Sequence, residues 1–152
     1  MSLRRLHGDA GQVGGVEAVP FGLLVLGVGI LVLAHTWAVV DAKFVAGSSA
    51  RAATRAYVEA PSADAANQNA AEAAADAAQA SGRHLEDLHR EAVAGGFGRC
   101  IPARFTATLT VPAFGLPWRP DRPEVPVRSA HEELVDPYRD GLPGLADCED
   151  RS

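Results

Sequence analysis

The chain has little lysine, few aromatic residues, two cysteines and, over one long stretch, almost no charge. Lys43 is the only lysine among 152 residues, while arginine and alanine are plentiful, a usage that points to a GC-rich genome and not to an activity. Basic residues are also outnumbered. From Asp41 onward 12 basic side chains face 17 acidic ones, and the whole net charge of −5 arises there. An acidic chain with 6% aromatic residues lacks the basic footprint that nucleic-acid phosphates demand, so no nucleic-acid partner is expected. Catalytic signatures are missing as well. No serine stands in a nucleophile elbow, and no glycine loop joins a strand to a helix to cradle phosphate. His84 and His89, with Glu86, Asp87 and Glu91 around them, are five residues apart, whereas zinc-binding histidines on a helix are four apart. A solvated helix face is the expectation for them. His131-Glu132-Glu133 has no second histidine at the needed spacing. Neither enzyme activity nor a metal or cofactor is expected.

The stretch without charge organises the rest. Between Glu17 and Asp41 lie 23 residues, of which only His35 can titrate. As a helix they would span roughly 35 Å against about 30 Å of bilayer hydrocarbon. A soluble core helix is seldom apolar all round for six turns, so insertion in a membrane is expected. The residues 1–10 ahead of it are short and basic. They also suit a secretory signal peptide, with Ala38 as the cleavage candidate. Beyond Asp41 strong helix formers continue up to Pro61, so a single helix is predicted from about Val16 to Glu59.

Within that helix Ala34, Ala38, Ala42, Ala46 and Ala50 recur every fourth residue. Such a strip of small side chains lets helix backbones approach closely in a membrane, although an alanine-rich chain also produces these runs by composition. Leu33, Trp37, Val40 and Phe44 form a bulkier face, with Trp37 where an interfacial anchor belongs. Arg4 and Arg5 before the span nearly balance Lys43, Arg51 and Arg55 after it, so charge does not orient it. The cysteines favour a cytoplasmic N-terminus and an exported C-terminal part. There Cys100 and Cys148 can form one disulfide, closing a loop of about 49 residues and contributing roughly 4 kcal/mol in the chain-entropy model.

After the span, residues 62–81 are alanine-rich, with Ser62 placed to cap a helix and Asp64 in its first turn. That helix has no large apolar side chain and must lean on a neighbour. HLEDLHREAVAGG is read as more helix, with Leu85, Leu88 and Ala92 on one face and a stop at Gly95-Gly96. The period then changes to two. In CIPARFTATLTVP the residues Ile101, Ala103, Phe105, Ala107, Leu109 and Val111 alternate with polar ones, the clearest strand in the chain. EVPVRSAHEELV is a second strand, placed at an edge by Pro126. The predicted fold is therefore membrane-anchored α+β: a leader over 1–15, a transmembrane and juxtamembrane helix over 16–60, an alanine-rich helical region over 61–95, and a small antiparallel β-hairpin ectodomain over 96–152.

GGVEAVP followed by an apolar helix running into VVDAKFVAGSSARAATRAYVEA resembles the TadE-like pilus assembly proteins, especially their actinobacterial type. GGFGRC, TATLTVP and ELVDPYRDGLPG extend the resemblance more loosely over most of the chain. Such proteins are pseudopilins of the tight-adherence (Flp) pilus, in the wider type IV pilin class. The resemblance implies partners in the membrane, namely other pilin-type subunits and the pilus assembly platform. It also implies a prepilin peptidase that cuts after a glycine, and a carboxylate at the fifth mature position. Glu17 matches that carboxylate, with Gly11 and Gly14 as processing candidates. Cutting after Gly11 makes Glu17 the sixth residue and cutting after Gly14 makes it the third, a departure from the family spacing. The alternative is a secreted or bitopic envelope protein unrelated to pili, binding an envelope partner.

Overall fold

The computed structural model describes residues 14–93, 95–113, 123–144 and 148, with side chains from Ala18 onward. Five elements follow in order: α1 (Gly14–Val58), α2 (Ala63–Ala80), β1 (Asp87–Arg90), β2 (Pro102–Pro112) and β3 (Glu124–Leu134). The chain divides into two units, Met1–Trp37 and Ala38–Ser152. The long helix has nearly its predicted bounds, and the alanine-rich helix expected after Ser62 is present. The described part of the first unit is helix alone. Its large apolar side chains from Val19 to Leu33 are 52% to 70% exposed. Thr36, the hydroxyl residue near its end, donates back to the Val32 carbonyl at 2.9 Å, which satisfies it without water.

The second unit is an α+β fold built on small side chains. Ser62 caps α2 from an extended conformation, its hydroxyl accepting the Ala65 N–H. The helix stops at a Schellman turn. The Gly82 N–H donates to the Gln79 carbonyl and the Arg83 N–H to the Ala78 carbonyl, with Gly82 at φ +68°. Ala66, Ala70, Ala74 and Ala78 run down one face of α2 and are all fully buried. The neighbours that α2 leans on are α1 and the sheet. At one end of the core Ala53 and Tyr57 of α1 meet Ala66, Ala70 and Ala74 of α2 and Ala103 and Phe105 of β2. Further along, Val45 and Ala46 meet Ala78 and Leu109. At the other end Ala42 meets Val111 and Val127. As α1 numbers fall, those of α2 and β2 rise, so both run antiparallel to it.

The sheet is antiparallel with strand order β1-β2-β3. The inward positions of β2 that alternation predicts are all buried. The Thr108 carbonyl accepts the Glu86 N–H and the Arg104 carbonyl accepts the Glu91 N–H. Even-numbered residues of β2 therefore turn their backbone groups to β1 and odd-numbered ones to β3. Pro126, opposite Thr110, consequently has its nitrogen on the free edge of β3, where no ladder donor is lost.

Two expectations are corrected. HLEDLHREAVAGG is not helical, since residues 87–90 form β1, and the expected hairpin is a three-stranded sheet. The Schellman turn at Gly82 ends the helical run, and β2 has backbone groups on that side that need a partner. Leu88 and Arg90 then face inward and Asp87 and His89 outward. Leu85 and Leu88 thus join the core from an extended segment.

The turns beyond β3 close off α1. The Arg139 guanidinium donates to the carbonyls of Val58 and Glu59, acceptors that a helix end leaves free. The Arg139 carbonyl in turn accepts from Arg99 Nε at 2.7 Å. Cys100 lies beside that contact at φ +59°, its N–H donating to the Val135 carbonyl. It is bonded to Cys148, with the Cα atoms 5.3 Å apart.

Ala46→Leu and Ala78→Leu are each expected to lower stability by about 1–3 kcal/mol, since a larger side chain has no space where both alanines are buried. Ala71→Leu, on the exposed face of α2, should change it by under about 0.5 kcal/mol. Denaturant unfolding of the full chain in detergent checks all three.

Candidate functional site

The residues expected to act in processing and assembly spread along α1. Gly11 lies outside the described residues. Gly14 is the first residue of α1 and Glu17 falls in its first turn, its side chain lying outside what the structure describes. α1 contains a segment near the N-terminus long and apolar enough to cross a membrane.

The small-residue strip divides. Ala34 is exposed and Ala38 half-buried, but Ala42, Ala46 and Ala50 are fully buried in the chain's own core. The expectation that all five form one strip open to another helix is corrected for those three. Their lack of side-chain bulk admits α2 and the sheet of the same chain. The face left open is the bulky one. Leu33, Trp37 and Phe44 are 70% to 73% exposed and Val40 is 40% exposed. In water such a row of side chains is unfavourable, and it marks a surface for lipid or for another apolar partner.

Polar contacts fix α1 where it leaves its apolar segment. Arg83 donates to Asp41 Oδ2 from Nε at 3.0 Å and from Nη2 at 2.7 Å, and Nη2 also reaches the Ala38 carbonyl. This ties the turn after α2 to α1 at Ala38 and Asp41. Lys43 donates to the Arg128 carbonyl on the free edge of β3. Thr54, fully buried, donates to the Ala50 carbonyl at 2.7 Å and lies 3.3 Å from the His131 carbonyl. Ser49 is also fully buried, and among the described residues its hydroxyl has no hydrogen-bond partner. Arg55 donates to Glu59 at 2.9 Å, and that bond raises its already high pKa.

The histidines do not gather. His84 is exposed in the loop before β1, and His89 lies on the outer face of the sheet, where it lines a shallow depression with Asp87, Thr106, Thr108 and Arg128. His131 faces the helices and pairs with Glu133, Nε2 to Oε1 at 3.0 Å. Among the described residues no group of three or more His, Cys, Asp or Glu side chains could hold a metal ion.

Two features escaped the sequence reading. Tyr57 is enclosed by Phe97, edge-on at 5.3 Å between ring centroids, and by Phe105 at 5.4 Å. Arg90 lies 5.3 Å from its ring centre and donates to its hydroxyl at 3.0 Å. The other is Arg139 at the end of α1. Its one sequence signal was an arginine inside the turn-rich DPYRDGLPG, which does not name the helix it caps. No family model, no curated protein and no solved structure matches this chain.

Phe44→Ala is expected to leave unfolding unchanged within about 0.5 kcal/mol, whereas Ala42→Leu should destabilise by about 1–3 kcal/mol. Thermal melts followed by near-ultraviolet dichroism would show the ranking. The reverse order would put the bulky face in the core.

Proposed function

We propose that this chain is a non-enzymatic minor pseudopilin or assembly component of a tight-adherence type IV pilus. In this reading it crosses the cell membrane once, with the N-terminus cytoplasmic and the C-terminal unit outside. One observation carries the proposal: a single 45-residue helix with an exposed apolar N-terminal segment and a C-terminal half built into an α+β unit. The apolar segment supplies insertion and lateral packing against other pilin-type helices. Its exposed small residue Ala34 and the bulky Leu33, Trp37 and Val40 are the contact surface, since Ala42, Ala46 and Ala50 are used inside the chain.

Glu17 carries the other half of the argument. A carboxylate next to an apolar span is costly to leave unpaired. After cleavage at Gly11 or Gly14 by a prepilin peptidase, the new α-amine of this or a neighbouring subunit is the matching charge. Pairing the two in a helical bundle sets the stagger between subunits.

A second reading, a secreted envelope protein, is favoured by one observation. A cut after Ala38 falls next to the boundary between the two units at Trp37 and Ala38, and leaves Ala42, Ala46 and Ala50 in the folded part.

The mature N-terminus separates these readings, measured by intact mass and terminal sequencing of membrane-extracted protein. A start at Gln12 or Gly15 is expected for a pseudopilin. An intact leader makes the chain a bitopic assembly factor. A start at Val39 makes it a secreted protein and ends the pilin reading.

A further inference from the structure

One cleft is unused by anything above. Lys43, Gly47 and Arg51 stand four residues apart on α1 and, with Phe44, face Ser129 and His131 of β3 across about 260 Å³. The sheet register puts Ser129 opposite Ala107 and His131 opposite Phe105, both core residues, so both side chains lie on the face turned to the helices. The polar lining is an ammonium, a guanidinium, a hydroxyl and an imidazole. Among the described residues no carboxylate side chain lines it, and His131 pairs with Glu133. In a chain of net charge −5, these cations are gathered against the overall balance.

Gly47 keeps the cleft open. A Cβ there would lie 3.4 Å from Ser129 Oγ and 4.0 Å from Arg51 Nη2, so the guanidinium folds back one turn over the glycine. The Lys43 ammonium is held at the rim by its bond to the Arg128 carbonyl, and two of its three N–H groups remain to donate. These donors line the cleft beside residues 43 to 47 of α1. That is about 3–9 Å along the helix beyond Asp41, and a headgroup layer is about 5–7 Å thick. Phe44, largely exposed, adds an apolar wall beside the cations.

We propose that this cleft holds the phosphate group of an anionic phospholipid from the leaflet into which α1 emerges, an inference that rests on the membrane reading above. Lys43, Arg51 and Ser129 donate to the phosphate oxygens, and Phe44 lies against the glycerol and first methylenes. Free phosphate meets the same donors but has nothing to place against Phe44.

The test is calorimetric titration of the full chain in a neutral detergent with dihexanoylphosphatidylglycerol, dihexanoylphosphatidylcholine and sodium phosphate. Saturable binding of the phosphatidylglycerol is expected, tighter than either of the others. The double variant Lys43→Gln/Arg51→Gln should weaken it about thirtyfold without lowering the unfolding temperature, since both side chains are exposed. Binding no tighter than that of the phosphatidylcholine, binding kept by the double variant, or phosphate binding as tight as the lipid would overturn the proposal. Alkaline carbonate extraction of membranes tests the underlying reading separately. Release by carbonate ends the membrane reading, whereas a chain that resists it and binds no phosphatidylglycerol loses only this site.

Discussion

Close packing of alanine faces against one strand is the interaction on which the second unit depends. Ala42, Ala46, Ala50 and Ala53 on α1, and Ala66, Ala70, Ala74 and Ala78 on α2, are fully buried, with β2 laid along them. An alanine contributes little transfer free energy alone, since burial scales with apolar area. Its contribution here is steric, because two backbones and a strand can share one dry core only if nothing protrudes between them. The larger side chains are then few and placed at the ends and centre: Tyr57 and Phe105 at one end, Leu109 in the middle, Val111 and Val127 at the other.

Division of labour along α1 follows from this. Its early part has bulky apolar side chains all round and exposes them, as a helix solvated by lipid would. Its later part exchanges bulk for alanine on one side and joins a folded unit. At the junction the bulky face from Leu33 to Phe44 stays open while the alanine face closes, so one helix serves two environments on two sides. Arg83 on Asp41 and Lys43 on the β3 edge sit at that junction. Exposed ion pairs add little to stability. Arg83 also reaches the Ala38 carbonyl and in this way fixes where α2 meets α1.

The closing turns are held by directional bonds. Arg139 occupies the last carbonyls of α1, Arg99 occupies the Arg139 carbonyl, and the Cys100–Cys148 bond ties the tail to the same point. A small unit with few large core residues gains proportionately from such staples. The turn-rich ELVDPYRDGLPG thus supplies the arginine that caps the long helix.

Much of this was legible in the residues because it is local. Helix formers up to Pro61, the Ser62 cap, the period-two run of β2 and the edge position of Pro126 each depend on a few neighbouring side chains. Burial partners are not local. The sequence by itself could not say that Ala42, Ala46 and Ala50 would be claimed by the chain's own α2, nor reveal the matching alanines of α2 as a face, because spacing shows which residues share a side and not what covers it. The segment from Leu85 to Ala92 was misread for the same reason. Its apolar spacing suits a helix, but the unpaired backbone of β2 decided for a strand. The Lys43–Arg51 cleft was likewise invisible, because its two sides lie about eighty residues apart in the chain and meet only when β3 packs against α1. The sequence determined the two helices, the strands β2 and β3 and the apolar segment, since those follow from propensity and period. Only the tertiary structure decided which faces are spent inside the molecule and which remain open to a partner.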